Sequence, residues 1–355
     1  MMILDFFKKD NIGEPPWDYD FLYNLPENEY PKYLKKIYKY RTGKALNLKN
    51  PKTFSEKLQW IKLYGVTPLM RDCTDKIKVR EYVKEKIGEK YLKPVLQIIP
   101  NETSVIASRN GILDGEAIRP IEKNIQSRLY CHGTQNVVVP RNDGKLEDVS
   151  TYFDRINWDK LTNAFVIKCN HGSKWQYIIK DKNLFLQNKR LINIVKKNIT
   201  CWLEQDYSFW CGFEMQYKNI EPKIFIEPLL RENLNIPGKE LQIYCFNGNV
   251  EFAIVIINEN LITAYDKNCN ILNDFLIGIT PKRNIPADNN LKKAYELSSI
   301  ISRNFNFVRV DWMIYNDKNL STSLYFEELT FTPYSGFKDF GKNQERMLGD
   351  LLSIK

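Results

Sequence analysis

Two apolar segments near the C-terminal end, FVRVDWMIY (307–315) and SLYFEELTF (323–331), are separated by a polar turn of Asn, Asp and Lys. That layout reads as two antiparallel strands. Alternation puts Arg309 and Asp311 on one face of the first strand, and Glu328 and Thr330 on one face of the second. A roughly symmetric turn then sets Asp311 opposite Glu328 and Arg309 opposite Thr330. Two carboxylates in register repel, so a sheet seldom holds them together without a shared proton or a cation. The adjacent arginine argues against the proton and for anionic ligands around a metal. A hairpin with a solvated polar face accommodates the same residues, so the rest of the chain has to discriminate.

At 355 residues, with 13% aromatic and 27% charged residues, the chain has room for two or three folded domains. A net charge of +9 points to an anionic partner: nucleotide, polyanionic sugar, membrane surface or nucleic acid. No RNP, zinc-finger or basic-zipper pattern accompanies the charge, so no nucleic-acid partner is expected. No apolar run approaches the ~20 residues of a transmembrane segment. The opening MMILDFFKKDNIG lacks a signal-peptide core, and the seven scattered cysteines form no CxxC pair. Both features read as a cytoplasmic protein with reduced thiols. His132 and His171 are the only histidines, which excludes a His-rich zinc centre. Neither GxxxxGK[ST] nor GxGxxG occurs, so a nucleotide has to be held in another way.

Along the chain, Asp18-Tyr19-Asp20 matches a DxD pattern but follows no apolar strand. Tyr30–Thr42 reads as a basic amphipathic helix ending before Gly43. It suits either a solvated packing helix or one lying on an acidic membrane or polymer. Thr53 and Glu56 form a capping box for a helix that turns Phe54, Leu58 and Ile61 inward and closes at Gly65. Thr74–Asp75 is expected to cap a further helix with Ile77, Val83 and Ile87 inward. Lys76, Lys78 and Arg80 crowd its first turns, against the helix dipole, and so ask for an anionic neighbour. From about 101 to 155 periodicity weakens, which reads as a small subdomain or a long insertion.

FVIKCNHGSKWQYIIK then predicts two strands around a tight loop, with Lys168 at the end of the first. Loop amides beside a lysine suit a triphosphate, although an ordinary hairpin has the same composition. His171 in that loop is read as structural. A helix over NKRLINIVKKNITCWLEQ precedes a strand ending at Glu227-Pro228, which cannot continue a central ladder and suits a hinge. Asn247-Gly248 marks a type I′ turn between two strands, LITAYDKN adds another, and NLKKAYELSSIISRNF a helix packed on that sheet.

The segments NPKTFSEKLQWIKLYG, DKIKVREYV, KYLKPVL, FVIKCNHGSKW, EMQYKNIEPKIFIEPLL, YCFNGNVEF, FVRVDWMIY and FEELTFTPYSG together resemble the TupA-like ATP-grasp family, named for teichuronopeptide biosynthesis. The resemblance implies an α+β fold in which two lobes clamp ATP behind a helical N-terminal region. It divides the chain into that region (1–72), an N-terminal lobe with an insertion at about 98–150 (73–160), a central lobe (161–230) and a C-terminal lobe with the metal site (231–355). It implies that Arg80 and Lys168 bind ATP phosphates, that Gly172 and Ser173 cover them, and that Glu227 and Glu240 contact adenine and ribose. Asp311 and Glu328 then resemble the Mg2+ ligands, Thr330 stands at a third ligand position, and Arg309 faces the reacting acyl group.

The implied reaction is ATP-dependent ligation of a carboxylate to an amine through an acyl phosphate. The setting is capsule or cell-surface polysaccharide, with a uronic acid as one carboxylate and an amino acid or amino alcohol as the amine. The chain departs from the family pattern at Glu240, Leu241 and Gln242, where a D-Y-K stretch is usual. It departs again at Glu327, which replaces a Gly, and in the length of the insertion. A glycosyltransferase using Asp18 and Asp20, or a non-catalytic nucleotide-binding assembly protein, remains an alternative at this point.

Overall fold

The computed structural model describes residues 17–100, 152–230, 238–258, 261–272, 285–315 and 323–354. The expected insertion therefore lies outside the described residues from 101 onward, as does His132. The described residues form α+β architecture divided into two compact units, Val95–Gln205 with Glu221–Pro228, and Met1–Pro94 with Asp206–Ile220 and Leu229–Lys355. None of the described helices is long and apolar enough to cross a membrane.

In the first of these units β1 (Gln97–Pro100), β2 (Phe165–Cys169), β3 (Gln176–Ile179) and β4 (Lys223–Pro228) form an antiparallel sheet in the order β1-β4-β2-β3. An almost unbroken apolar run makes β2 an inner strand, buried along its whole length. The Lys189–Leu203 helix begins where the Asn188 side chain accepts the Leu191 N–H, and it buries Val195, Ile199 and Leu203. Pro228 ends β4, and the chain leaves this unit there, as a residue without an N–H dictates.

The second unit holds β5 (Lys239–Phe246), β6 (Asn249–Asn258), β7 (Leu261–Asp266), β8 (Phe307–Ile314) and β9 (Leu324–Thr330), all antiparallel in the order β7-β6-β5-β8-β9. Asn247 and Gly248 join β5 to β6 at φ 51° and 79°, the two left-handed positions of a type I′ turn. The Asn289–Ile301 helix is N-capped by Asp288, and its Ser298 hydroxyl accepts the Trp312 indole N–H at 2.9 Å. The Phe54–Tyr64 helix carries both halves of the Thr53/Glu56 capping box. Its first residue, Phe54, is fully buried with its ring 5.0 Å from Phe307 and 5.8 Å from Phe340.

One helix boundary differs from expectation. Pro68–Thr74 is itself a helix, capped by the Thr67 hydroxyl, and the following helix runs only from Val79 to Ile87. The Thr74 hydroxyl bonds back to the Met70 carbonyl at 2.8 Å, whereas Asp75 accepts the Ile77 N–H at 2.8 Å and caps the intervening turn. The buried face is accordingly Val79 and Val83, with Ile77 and Ile87 only half-buried.

Candidate functional site

β8 and β9 pair with Asp311 opposite Glu328 and Arg309 opposite Thr330, the expected register. Beyond Asp311 the ladder slips, so that Trp312 faces Phe326 and Glu327 is the extra residue of a bulge. Bulges re-aim side chains, and this one brings two consecutive glutamates among the same charges. Arg309 forks onto Asp311, donating from Nε to Oδ1 at 2.7 Å and from Nη2 to Oδ2 at 2.6 Å. The Thr330 hydroxyl lies 3.1 Å from Asp311 Oδ2 and 3.3 Å from Glu328 Oε1, and accepts from Arg309 Nη2 at 3.1 Å. Lys76 pairs with Glu328 at 3.1 Å, and the buried Lys93 pairs with Glu327. Arg80 donates to the Lys93 carbonyl at 2.6 Å.

Charge and burial pull these groups in different directions. Burial is the largest influence on Asp311 and lifts its carboxyl from 3.8 to about 7, against the pull of Arg309. At Glu328 burial also works toward protonation, but Lys76 and then Arg309 outweigh it and hold the carboxyl below its ordinary value. Burial raises Glu240. Among the described residues no group of three or more His, Cys, Asp or Glu side chains gathers as a metal cage. Two carboxylates and a hydroxyl are instead the hard, incomplete oxygen set that suits Mg2+ sharing its remaining positions with phosphates and water.

On the neighbouring strand β5, Gln242 stands opposite Asp311 and donates to Glu240 Oε1 at 2.8 Å, while the Tyr334 hydroxyl donates to Gln242 Oε1 at 3.4 Å. Tyr334 and Ser335 adopt left-handed backbone at φ 53° and 52°, a costly conformation for non-glycine residues. A buried polar network holds them there. Ser335 Oγ and Thr332 Oγ1 donate to the two oxygens of Glu214 at 2.9 and 2.5 Å. The fully buried Lys62 ammonium donates to the Ser335 carbonyl at 2.9 Å and to Gln59 Oε1 at 3.1 Å. The Arg309 guanidinium lies 5.8 Å from the Tyr334 ring centroid.

The other unit carries the remaining expected residues. Lys168 and Glu227, on adjacent strands β2 and β4, form a buried ion pair at 2.9 Å. Gly172 and Ser173 sit in the loop from β2 to β3. A Cβ at Gly172 would lie 2.4 Å from the Trp175 ring, so only glycine lets that ring close over the loop. Trp175 stacks on Trp202 at 6.0 Å and 5°. His171 is buried, with Nε2 2.9 Å from the Trp202 carbonyl and Nδ1 3.2 Å from Asn170 Oδ1, the structural role expected of it.

Of the expected residues, the structure gathers Arg309, Asp311, Glu328 and Thr330 on one hairpin, with Glu240 on the sheet beside it. Lys168 and Glu227 form a separate pair. No local signal pairs Lys93 with Glu327, whereas the charge of Lys76 against the helix dipole asks for an anionic neighbour and Glu328 supplies one. Lys62, Glu214 and Tyr334 lie within the segments that carry the family resemblance, but nothing in the sequence gives them a role of their own. The Asp18 of the DxD pattern accepts the Phe21 N–H at 2.9 Å and serves as a helix N-cap.

The chain matches the TupA-like ATP-grasp family over residues 145–353, more than half of its length. A search of curated proteins found no match. Among solved structures it is similar to a D-alanine-D-alanine ligase from Helicobacter pylori, at 13% identity over 84% of this chain and 69% of that chain, with a TM-score of 0.37. It is also similar to a D-cycloserine synthetase, at 11% identity over 96% of this chain and 86% of that chain, with a TM-score of 0.37. A third is an N5-carboxyaminoimidazole synthase from Aspergillus clavatus, at 9% identity, with a TM-score of 0.31. That match covers 74% of this chain and 44% of that chain, so the chain spans less than half the length of that protein. The family match, and not these distant likenesses, carries the assignment. The chain belongs to the TupA-like ATP-grasp family.

Proposed function

We propose that the chain joins a carboxylate to an amine at the expense of ATP, forming an amide through an acyl phosphate. One observation carries the reading: Asp311 and Glu328 oppose each other in adjacent strands, with Arg309 forked onto one and the Thr330 hydroxyl within reach of both. A merely solvated polar face has no reason to bury Arg309 and Asp311 together, because desolvating them costs several kcal/mol each.

In the first step a carboxylate oxygen of the substrate attacks the γ-phosphorus of ATP, the bond to the β–γ bridging oxygen breaks, and ADP leaves. In the second the amine nitrogen attacks the acyl carbon and loses a proton, and inorganic phosphate departs with the C–O electron pair. Asp311, Glu328 and Thr330 would hold Mg2+, which when bound supplies neutralisation of phosphate charge. Arg80 and Lys168 would bind the phosphates, and Gly172 and Ser173 would cover them against water, since acyl phosphates hydrolyse. Glu227 and Glu240 would contact adenine and ribose. Arg309 would offset charge on the phosphoryl oxygens in the first step and stabilise the tetrahedral oxyanion in the second, the latter an effect commonly worth about 3 kcal/mol.

The substrate side of the reading rests on the family alone. We place the reaction in the cytoplasm, on a uronic acid or similar carboxylate destined for capsule or cell-surface polysaccharide, with an amino acid or amino alcohol as the amine. The test is a matrix of acids and amines assayed with ATP and magnesium for ADP release, followed by mass spectrometry of the product. A product mass equal to acid plus amine minus water supports the reading. ADP release that needs no amine, or transfer of a sugar from a UDP-sugar without ATP, overturns it.

A further inference from the structure

Between Tyr30 and Ser55 the chain carries eight lysines and arginines and no acidic residue, so this stretch accounts for nearly all of the +9 net charge. Most of the charge in the Tyr30–Thr42 helix lies on one side. Leu34, Ile37 and Tyr38 are buried in an apolar cluster with Phe209, Phe213 and Phe337, whereas Lys32, Lys35, Lys36 and Lys39 are exposed. Like charges at these helical spacings repel, so folding itself gains nothing from the arrangement. Lys32 is paired with Glu29, and among the described residues Lys35, Lys36 and Lys39 have no carboxylate at ion-pair distance.

Aromatic rings border the stripe. The Lys36 and Lys32 ammonium groups lie 4.5 and 5.6 Å from the Tyr33 ring centroid, and Phe21 meets that ring edge-on at 5.1 Å. Phe21 and Tyr23, on the preceding Tyr19–Tyr23 helix, remain 42% and 52% exposed.

We propose that this face docks on an anionic phospholipid surface, with the lysines against lipid phosphates and Phe21 and Tyr23 at headgroup level. Clusters of four or more lysines on an amphipathic helix suit charged leaflets, and exposed rings beside them suit the interfacial zone. A single-stranded nucleic acid or a sugar polymer would instead want open ring faces for stacking. Here the Tyr33 ring is approached by two ammonium groups, and Tyr23 is already stacked on Tyr19 at 5.7 Å. The apolar side of the helix is committed to the protein core, so the contact is peripheral and electrostatic, and salt weakens it. This inference does not depend on the ligase reading.

The test is co-sedimentation of the full chain with vesicles of phosphatidylcholine containing about one-third phosphatidylglycerol, against phosphatidylcholine alone. The wild type binds the anionic vesicles, releases in high salt and ignores the neutral ones. The combined Lys35→Glu, Lys36→Glu and Lys39→Glu variant loses at least about tenfold in vesicle affinity while keeping its melting temperature. The milder Lys→Gln set at the same positions loses less and guards against misfolding. Unchanged binding by these variants, equal binding to neutral vesicles, or tighter binding of a polyuronate or single-stranded RNA than of anionic vesicles at the same salt overturns the proposal.

Discussion

Asp311 sits directly opposite Glu328 in the β8–β9 ladder, yet each carboxylate is met by a cation of its own, Arg309 at 2.6 Å and Lys76 at 3.1 Å. Part of the repulsion expected of the pair is therefore offset within the protein. Replacing one carboxylate with an amide should leave the fold standing while removing a negative ligand. Glu328→Gln is predicted to lower amine-dependent ADP release by about a hundredfold or more, with an unchanged far-UV circular dichroism spectrum. Turnover within a few-fold of wild type would sink the metal assignment.

Gly172 makes a steric prediction rather than a conformational one, since its backbone is not in the left-handed region. A methyl group there must displace the Trp175 ring, whose edge would lie 2.4 Å away and which is held by His171 at 5.2 Å and by Trp202. Overpacking of this kind costs about 1–3 kcal/mol. Gly172→Ala should lower the denaturation midpoint by a matching amount, shift the tryptophan emission and weaken ATP binding measured by calorimetry. A variant with wild-type emission and stability would show that the ring is free to move.

What could be read in advance follows from which signals are local. The Asp311–Glu328 register follows from alternation around one turn, the Phe54 helix from a four-residue capping box, and the β5–β6 turn from Asn247-Gly248. The partners of the acidic residues were out of reach because Lys93 meets Glu327 across a separation of 234 residues, and no local pattern encodes such a distance. The bulge at Glu327 was hidden for a related reason, since an extra residue in one strand appears only when the other strand is placed beside it. At Thr74–Asp75 the local signal misled: both side chains can cap, and the fold uses the threonine to close one helix and the aspartate to start the next turn.

Lys62 illustrates a buried charge in a positioning role. Its ammonium is completely enclosed and binds the carbonyl of left-handed Ser335, while neighbouring Gln59 Nε2 donates to the Ser335 and Gly336 carbonyls at 2.9 and 2.8 Å. Lys62→Met keeps the aliphatic stem but takes the ammonium away from Gln59 Oε1 and leaves the Ser335 carbonyl to Gln59 Nε2, so the strained Tyr334–Ser335 turn is less firmly held. The expected cost is about 2–4 kcal/mol in urea unfolding. Lys62→Arg, which retains the charge, should recover part of it. A loss below about 0.5 kcal/mol for Lys62→Met would mean that water replaces the ammonium without penalty.

Lys338 gives a prediction with a definite sign in pH. Burial alone lowers its pKa from 10.5 to about 8. The unfolded chain therefore binds more protons than the folded one between pH 8 and 10.5, and stability from this group rises with pH across that window. Below pH 8 the folded protein bears the whole cost of the buried charge, eased in part by the Tyr334 ring 4.8 Å from the ammonium. Lys338→Met removes the charge and leaves most of the packing. The variant should be more stable than wild type at pH 7, and its advantage should shrink above pH 8 and be gone near pH 10.5. Urea unfolding of both proteins at matched ionic strength across this range is the measurement. An advantage that stays constant with pH would place the gain in packing rather than in the proton, and a variant less stable at every pH would show that the contacts of the ammonium are worth more than its burial costs.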